Sequence, residues 1–107
     1  MKERIYHPIL DKAYQYDIIG FNYDSSSYDF SEHTLEITFR KNDIVKKLKF
    51  IGPGELSIET GFPLSTGGLA ILDITNHQLE KFNVQVIDEE ASHGAVVFYA
   101  KDVFEIK

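Results

Sequence analysis

The fold of this chain is decided by residues 33–51, His33-Thr34-Leu35-Glu36-Ile37-Thr38-Phe39-Arg40-Lys41-Asn42-Asp43-Ile44-Val45-Lys46-Lys47-Leu48-Lys49-Phe50-Ile51. Apolar and polar side chains alternate along it with a period of two, the period of a half-buried strand. Leu35, Ile37 and Phe39 share one face of residues 33–40, and Glu36, Thr38 and Arg40 share the other. In residues 44–51, Leu48 and Phe50 turn inward and Lys47 and Lys49 outward. Asn42-Asp43 between the two runs predicts a tight hairpin. That hairpin sets a register: Leu35 opposite Phe50, Ile37 opposite Leu48, and Glu36 opposite Lys49 as a favourable outward pair. Its cost is Lys46 opposite Phe39, where the lysine stem can lie over the ring.

The same period extends in both directions. Residues 16–23 form an aromatic and isoleucine-rich strand candidate, followed by the polar run Tyr23-Asp24-Ser25-Ser26-Ser27-Tyr28-Asp29, which reads as a flexible loop. Gly52-Pro53-Gly54-Glu55 fits a type II turn with glycine at the positive-φ position. Leu56 and Ile58 alternate in a short strand, and residues 61–68 form a turn-rich connection. Residues 69–74 are apolar on both faces as far as Asp73, the pattern of a central strand. Residues 75–81, capped by Thr75 or Asn76, are the best helix candidate, only a turn or two long. Phe82, Val84 and Val86 alternate, and 88–94 is an acidic loop. Residues 95–106 read as one long last strand, with Val96, Phe98, Ala100, Phe104 and Ile106 on one side and a bulge near Lys101-Asp102. These are seven strands with short connections, so the expected fold is all-β. It is a single domain over residues 1–107, an antiparallel β-sandwich or half-open barrel with at most one short helix. No internal repeat is visible.

Composition narrows the function. With 107 residues the chain holds one hydrophobic core. It has no cysteine, so disulfides and thiolate metal sites are excluded. Seventeen acidic against 11 basic residues give a net charge of −6, which disfavours binding to a phosphate backbone. No apolar run has the length of a signal peptide core or a membrane span, so the expected location is the cytoplasm. The charge is unevenly placed: residues 1–54 hold eight acidic and eight basic side chains, residues 55–107 nine and three. Five basic residues fall between Arg40 and Lys49.

No catalytic or cofactor motif emerges. His7, His33, His77 and His93 are isolated, so no histidine pair has metal-ligand spacing. Ser92-His93 is adjacent in sequence and therefore points apart, and the chain has no Gly-x-Ser-x-Gly elbow. Ser65-Thr66-Gly67-Gly68 lacks the Walker lysine and reads as a surface turn. Asp73 and Asp102 interrupt apolar strands. They read either as strand-end hydrogen-bond acceptors or, if they face one pocket, as carboxylates with raised pKa. The acidic loop Asp88, Glu89, Glu90 with His93 is the expected binding surface, for a basic protein partner. Tyr6, Tyr14, Tyr16, Phe21, Tyr23, Tyr28 and Phe30 crowd the first 30 residues, a supply of rings for sheet packing or for an interface. Two other readings stand beside binding to a basic protein. One is a pocket built from Asp73, Asp88, Asp102, His33, His77 and His93; the other is a homo-oligomer formed through an edge strand.

Several stretches carry a resemblance: Tyr16-Asp17-Ile18-Ile19, Leu35-x-Ile37-x-Phe39, and Leu48-x-Phe50-x-Gly52 with Leu56. Leu69-x-Ile71-x-Asp73-Ile74 and Gly94-x-Val96-x-Phe98-x-Ala100 with Val103 continue it. In these the chain resembles small all-β bacterial proteins of the toxin-immunity type, over most of its length after Tyr16. Tyr16-Asp17 stands where such families often open with a His-Asp pair. The resemblance implies a non-enzymatic inhibitor of a partner protein and transfers no functional residue.

Overall fold

The computed structural model describes residues 5–59, 62, 68–75, 82–88 and 96–106. They form eight strands: β1 (Asp17–Asp24), β2 (Thr34–Lys41), β3 (Ile44–Ile51), β4 (Gly54–Ile58), β5 (Leu69–Asp73), β6 (Val84–Asp88), β7 (Val96–Ala100) and β8 (Asp102–Ile106). Two antiparallel sheets result, in the orders β1-β2-β3-β8 and β4-β7-β6-β5. Two 3₁₀ turns, Ala13–Gln15 and Phe30–Glu32, lie wholly among the described residues, and Thr75, where the helix candidate begins, is also in 3₁₀ conformation. Beyond Thr75 the helix candidate lies outside the described residues.

The hairpin stands as its side-chain pattern requires. Leu35 pairs with Phe50, Glu36 with Lys49, Ile37 with Leu48 and Phe39 with Lys46, around a turn in which Asn42 takes φ 55°. Asparagine tolerates that left-handed conformation better than most residues. Lys46 reaches Glu105 at 3.7 Å, a partly exposed ion pair of small energetic value.

What joins the sheets is a two-stranded ribbon. β3 runs on into β4 and β7 into β8, and each changes sheet on the way. The partner strands stay in one register across the bend, from Lys47 opposite Ile106 through Ile51 opposite Asp102 to Gly54 opposite Tyr99. The backbone N–H of Lys101 donates to the Ile51 carbonyl at 2.8 Å within it. Strands that switch sheets at a bend are a known way of building the corner of a sandwich. Residues 17–58 and 69–106 therefore form two equivalent units, each giving three strands to one sheet and a fourth to the other. This duplication of topology has no counterpart in the sequence.

Three expectations are corrected here. The last strand is two, because its crossing at Lys101 resets the inward parity: Val103 is buried and Phe104 is 46 % exposed. That division makes eight strands where the pattern gave seven. At residues 52–55 the positive φ angles belong to Gly52 (60°) and Glu55 (53°), not Gly54, because the segment is the bend of a continuing ribbon and not a type II turn. Finally, β5 is the terminal strand of its sheet, not a central one. It is apolar on both faces because Leu69 and Ile71 enter the main core while Ala70 and Leu72, with Ile74, enter a second cluster behind the sheet. Its outer edge is partly covered by the N-terminal segment: the Tyr6–Leu72 bridge is flanked by His7 N–H to the Ile71 carbonyl and Asp73 N–H to the Ile5 carbonyl.

At the centre of the main core the two units meet through Phe50 and Phe98. Both are fully buried, with ring centroids 5.0 Å apart and planes at 87°. This edge-to-face contact suits the ring quadrupoles.

Candidate functional site

The two ends of the β1-β2-β3-β8 sheet differ in charge. At the hairpin end, residues 40–47 bring Arg40, Lys41, Lys46 and Lys47 together with Asp43. Roughly 23 Å away, at about 3.3 Å per residue, the bend end carries the row Asp24, Thr34, Ile51 and Asp102 across the four strands. The connection between β1 and β2 emerges at this end and adds Asp29 and Glu32.

That connection is held by its own short polar side chains, which bond backbone groups two residues away. Asp24 Oδ1 accepts from Ser26 N–H at 2.9 Å, and Ser27 Oγ accepts from Asp29 N–H at 3.1 Å while donating to Glu32 at 2.7 Å. Asp29 caps the 3₁₀ turn Phe30–Glu32, its Oδ1 accepting from Ser31 N–H at 3.0 Å and Ser31 Oγ–H at 2.7 Å. The serine-rich run is thus a loop, as its composition predicts, whose short polar side chains hydrogen-bond its own backbone. His33 fastens it to the sheet. Its Nε2 lies 2.8 Å from the Ser27 carbonyl, which can only accept, so Nε2 carries a proton. In the neutral ring, Nδ1 then receives the Tyr23 hydroxyl at 3.4 Å. Hydrogen bonds from Ser26 and from Ser31 hold the Asp24 and Asp29 carboxyls below the usual range, so both are ionised even in mild acid. At the tip Tyr28 is fully exposed, and Phe30 is 53 % exposed.

Beside the loop lies an open cleft of about 590 Å³. Its floor is the bend of the ribbon. A Cβ on Gly52 would stand 3.3 Å from the Ser31 carbonyl oxygen, and one on Gly54 would stand 2.6 Å from Cζ of Phe82. The two glycines therefore admit the loop backbone on one side and a phenyl ring on the other. Phe82 is steadied by stacking on Tyr99, centroids 5.3 Å apart and planes at 29°. Next to it, Asn83 donates from Nδ2 to the Lys101 carbonyl at 3.1 Å. Asp29, Phe30, Glu55 and Lys101 complete the lining.

A second cleft, about 440 Å³, opens between the N-terminal segment and the edge of β5, lined by Tyr6, Leu10, Tyr14 and Leu69 among others.

The residues singled out from sequence distribute differently. Asp88 ends β6 opposite Leu69, at the end of that strand remote from the bend. Glu89, Glu90, His77 and His93 lie outside the described residues. Asp73 accepts from Thr75 N–H at 3.0 Å and Thr75 Oγ1–H at 2.6 Å, and these bonds lower its pKa, the opposite of what a general acid needs. Asp102 accepts from the backbone N–H of Val103 at 2.8 Å. Asp73, Asp88, Asp102 and His33 line neither of these two clefts. Among the described residues no three histidine or carboxylate side chains gather as metal ligands, and no helix is long and apolar enough to cross a membrane. Nothing in the sequence marks Glu55, Phe82 and Lys101 as one group, because only the bend brings them to the loop. A legible signal was Tyr28 and Phe30, two rings set in a run of serines and carboxylates where no strand could bury them.

Compared with protein-family models, with curated proteins and with solved structures, the chain matches none.

Proposed function

We propose that the bend end of the sandwich is a recognition surface for a basic protein and that the chain works as a binding module. One observation carries this: an internally hydrogen-bonded loop offers Tyr28 and Phe30 to solvent among the carboxylates of Asp24, Asp29 and Glu32. Exposed rings on an ordered backbone give contact area with little ordering cost, the arrangement that dominates binding hot spots. The surrounding carboxylates steer a basic partner and raise its association rate. The role this suits is an acidic inhibitor covering a basic protein, the immunity-type function that the resemblance implies. The site differs from the acidic loop expected around Asp88.

The test is an NMR titration of isotope-labelled protein with a basic peptide and with its glutamate-rich counterpart. The basic peptide is expected to shift residues 24–33, 52–55 and 101–102, with weakening as salt rises. Shifts centred on Arg40 to Lys49, or equal shifts with the acidic peptide, overturn the proposal.

A further inference from the structure

We infer that the cleft at the bend is a subsite for an arginine side chain of the basic partner. This rests on reading the bend end as the recognition surface. The cleft has the volume of a small-ligand pocket, more than enough to admit one guanidinium side chain. Two of its walls are phenyl rings, one of them, Phe82, backed by Tyr99. Its carboxylates are Asp29 and Glu55. Ring faces attract cations, and a guanidinium gains more from them than an ammonium does, being planar and weakly hydrated. Carboxylates complement the guanidinium fork, which can bond an oxygen pair in parallel. Lysine meets the same charges as a compact, strongly hydrated point and leaves the rings largely unused.

Two features make the subsite ready before binding. Asp29 is oriented by its two bonds from Ser31, so little side-chain freedom remains to be lost. Those same bonds keep it charged. The third feature opposes binding. Lys101 lines the cleft and lies close enough to Asp29 to help hold that carboxyl ionised. An incoming guanidinium meets this resident cation, so Lys101 acts as a competitor for Asp29. A divalent cation is a poorer fit, since it seeks six or more oxygens and would face the same ammonium.

The experiment titrates the whole chain at low salt with peptides identical except for one central residue, arginine, lysine or alanine. Arginine is expected to bind about fivefold more tightly than lysine, the size of a modest cation–π advantage. Asp29→Asn and Glu55→Gln should each reduce that ratio toward one. Asparagine caps a turn as well as aspartate, so Asp29→Asn removes charge and leaves the loop intact. Lys101→Met should instead tighten arginine binding about threefold, the reverse of what unfolding could produce. Equal binding of arginine and lysine peptides at the loop overturns the arginine subsite and leaves the recognition surface standing. No binding by either peptide overturns both. Unchanged or weakened arginine binding in Lys101→Met overturns the competitor role.

Discussion

At the first bend of the ribbon Gly52 stands at φ 60° and Glu55 at φ 53°, and the backbone between them lies under the Ser31 carbonyl and the ring of Phe82. At the second bend Ala100, Lys101 and Asp102 cross between the same two sheets with no positive φ, and Lys101 and Asp102 face solvent. Topology demands a crossing at both places and constrains little else. The first has been fitted to neighbours that press on it, which requires glycine and admits a strained glutamate. The second keeps ordinary backbone angles and turns its two charged side chains to solvent. The cleft lies where a crowded bend and an open one run side by side, and the asymmetry between equivalent positions gives the surface its chemistry.

The largest effects test the equivalence itself. Phe50→Ala and Phe98→Ala should each cost about 3–5 kcal/mol in urea unfolding, because each opens a cavity at the same contact. The double variant should cost less than the two combined, since the second loss removes a partner already missing. A gap of several kcal/mol between the single variants would break the symmetry argument.

Next comes the crowding of the first bend. Gly54→Ala places a Cβ 2.6 Å from Phe82, and the repacking should cost about 1–2 kcal/mol. Asp102→Ala, at the equivalent place in the second bend, should stay within about 0.5 kcal/mol. Shortening the ring in the double variant Gly54→Ala, Phe82→Leu should recover part of the loss. If Gly54→Ala is as silent as Asp102→Ala in denaturation, the difference between the bends disappears.

A smaller effect has the opposite sign. Glu55→Gly relieves a left-handed conformation that costs an L-residue about 1–2 kcal/mol. The greater freedom of glycine in the unfolded chain offsets part of that gain. A net rise of about 0.5–1 kcal/mol in stability is expected, together with weaker binding of arginine peptides. A fall in stability would show that the glutamate side chain, and not its backbone, is what the bend needs.

The smallest effect is on acid stability. Asp24, Asp29 and Asp73 have folded pKa values below the ordinary one, each because a serine or threonine two residues on donates to it. A lowered carboxyl contributes stability that is complete above the unfolded aspartate value of about 3.9. That contribution is lost as pH falls through the folded value. Carboxyl carbon shifts followed against pH should show all three titrating below unfolded aspartate. A midpoint at or above that value for Asp29 would remove the case for its fixed charge.

Side-chain alternation made the β2–β3 hairpin legible residue by residue, including its costly Lys46 opposite Phe39, because period and turn chemistry are local properties. All-β character, antiparallel pairing and most strand limits to within two residues followed from the same signal. Alternation is blind to which sheet a strand joins. Residues 95–106 therefore read as one strand, although the crossing at Lys101 moves Val103 inward and Phe104 out. It is equally blind to what covers a face, so β5 passed for a central strand when a second cluster and the N-terminal segment bury it at the end of its sheet. For the site, sequence determined the ingredients: an acidic excess, a serine-rich run holding Tyr28 and Phe30, and the glycines at 52 and 54. Only tertiary structure decided that Glu55, Phe82 and Lys101, up to 72 positions from Asp29 in the chain, share one cleft with it. The reason is physical: strand character is written in neighbours along the chain, whereas the cleft is made by a ribbon bend that pairs positions far apart in it.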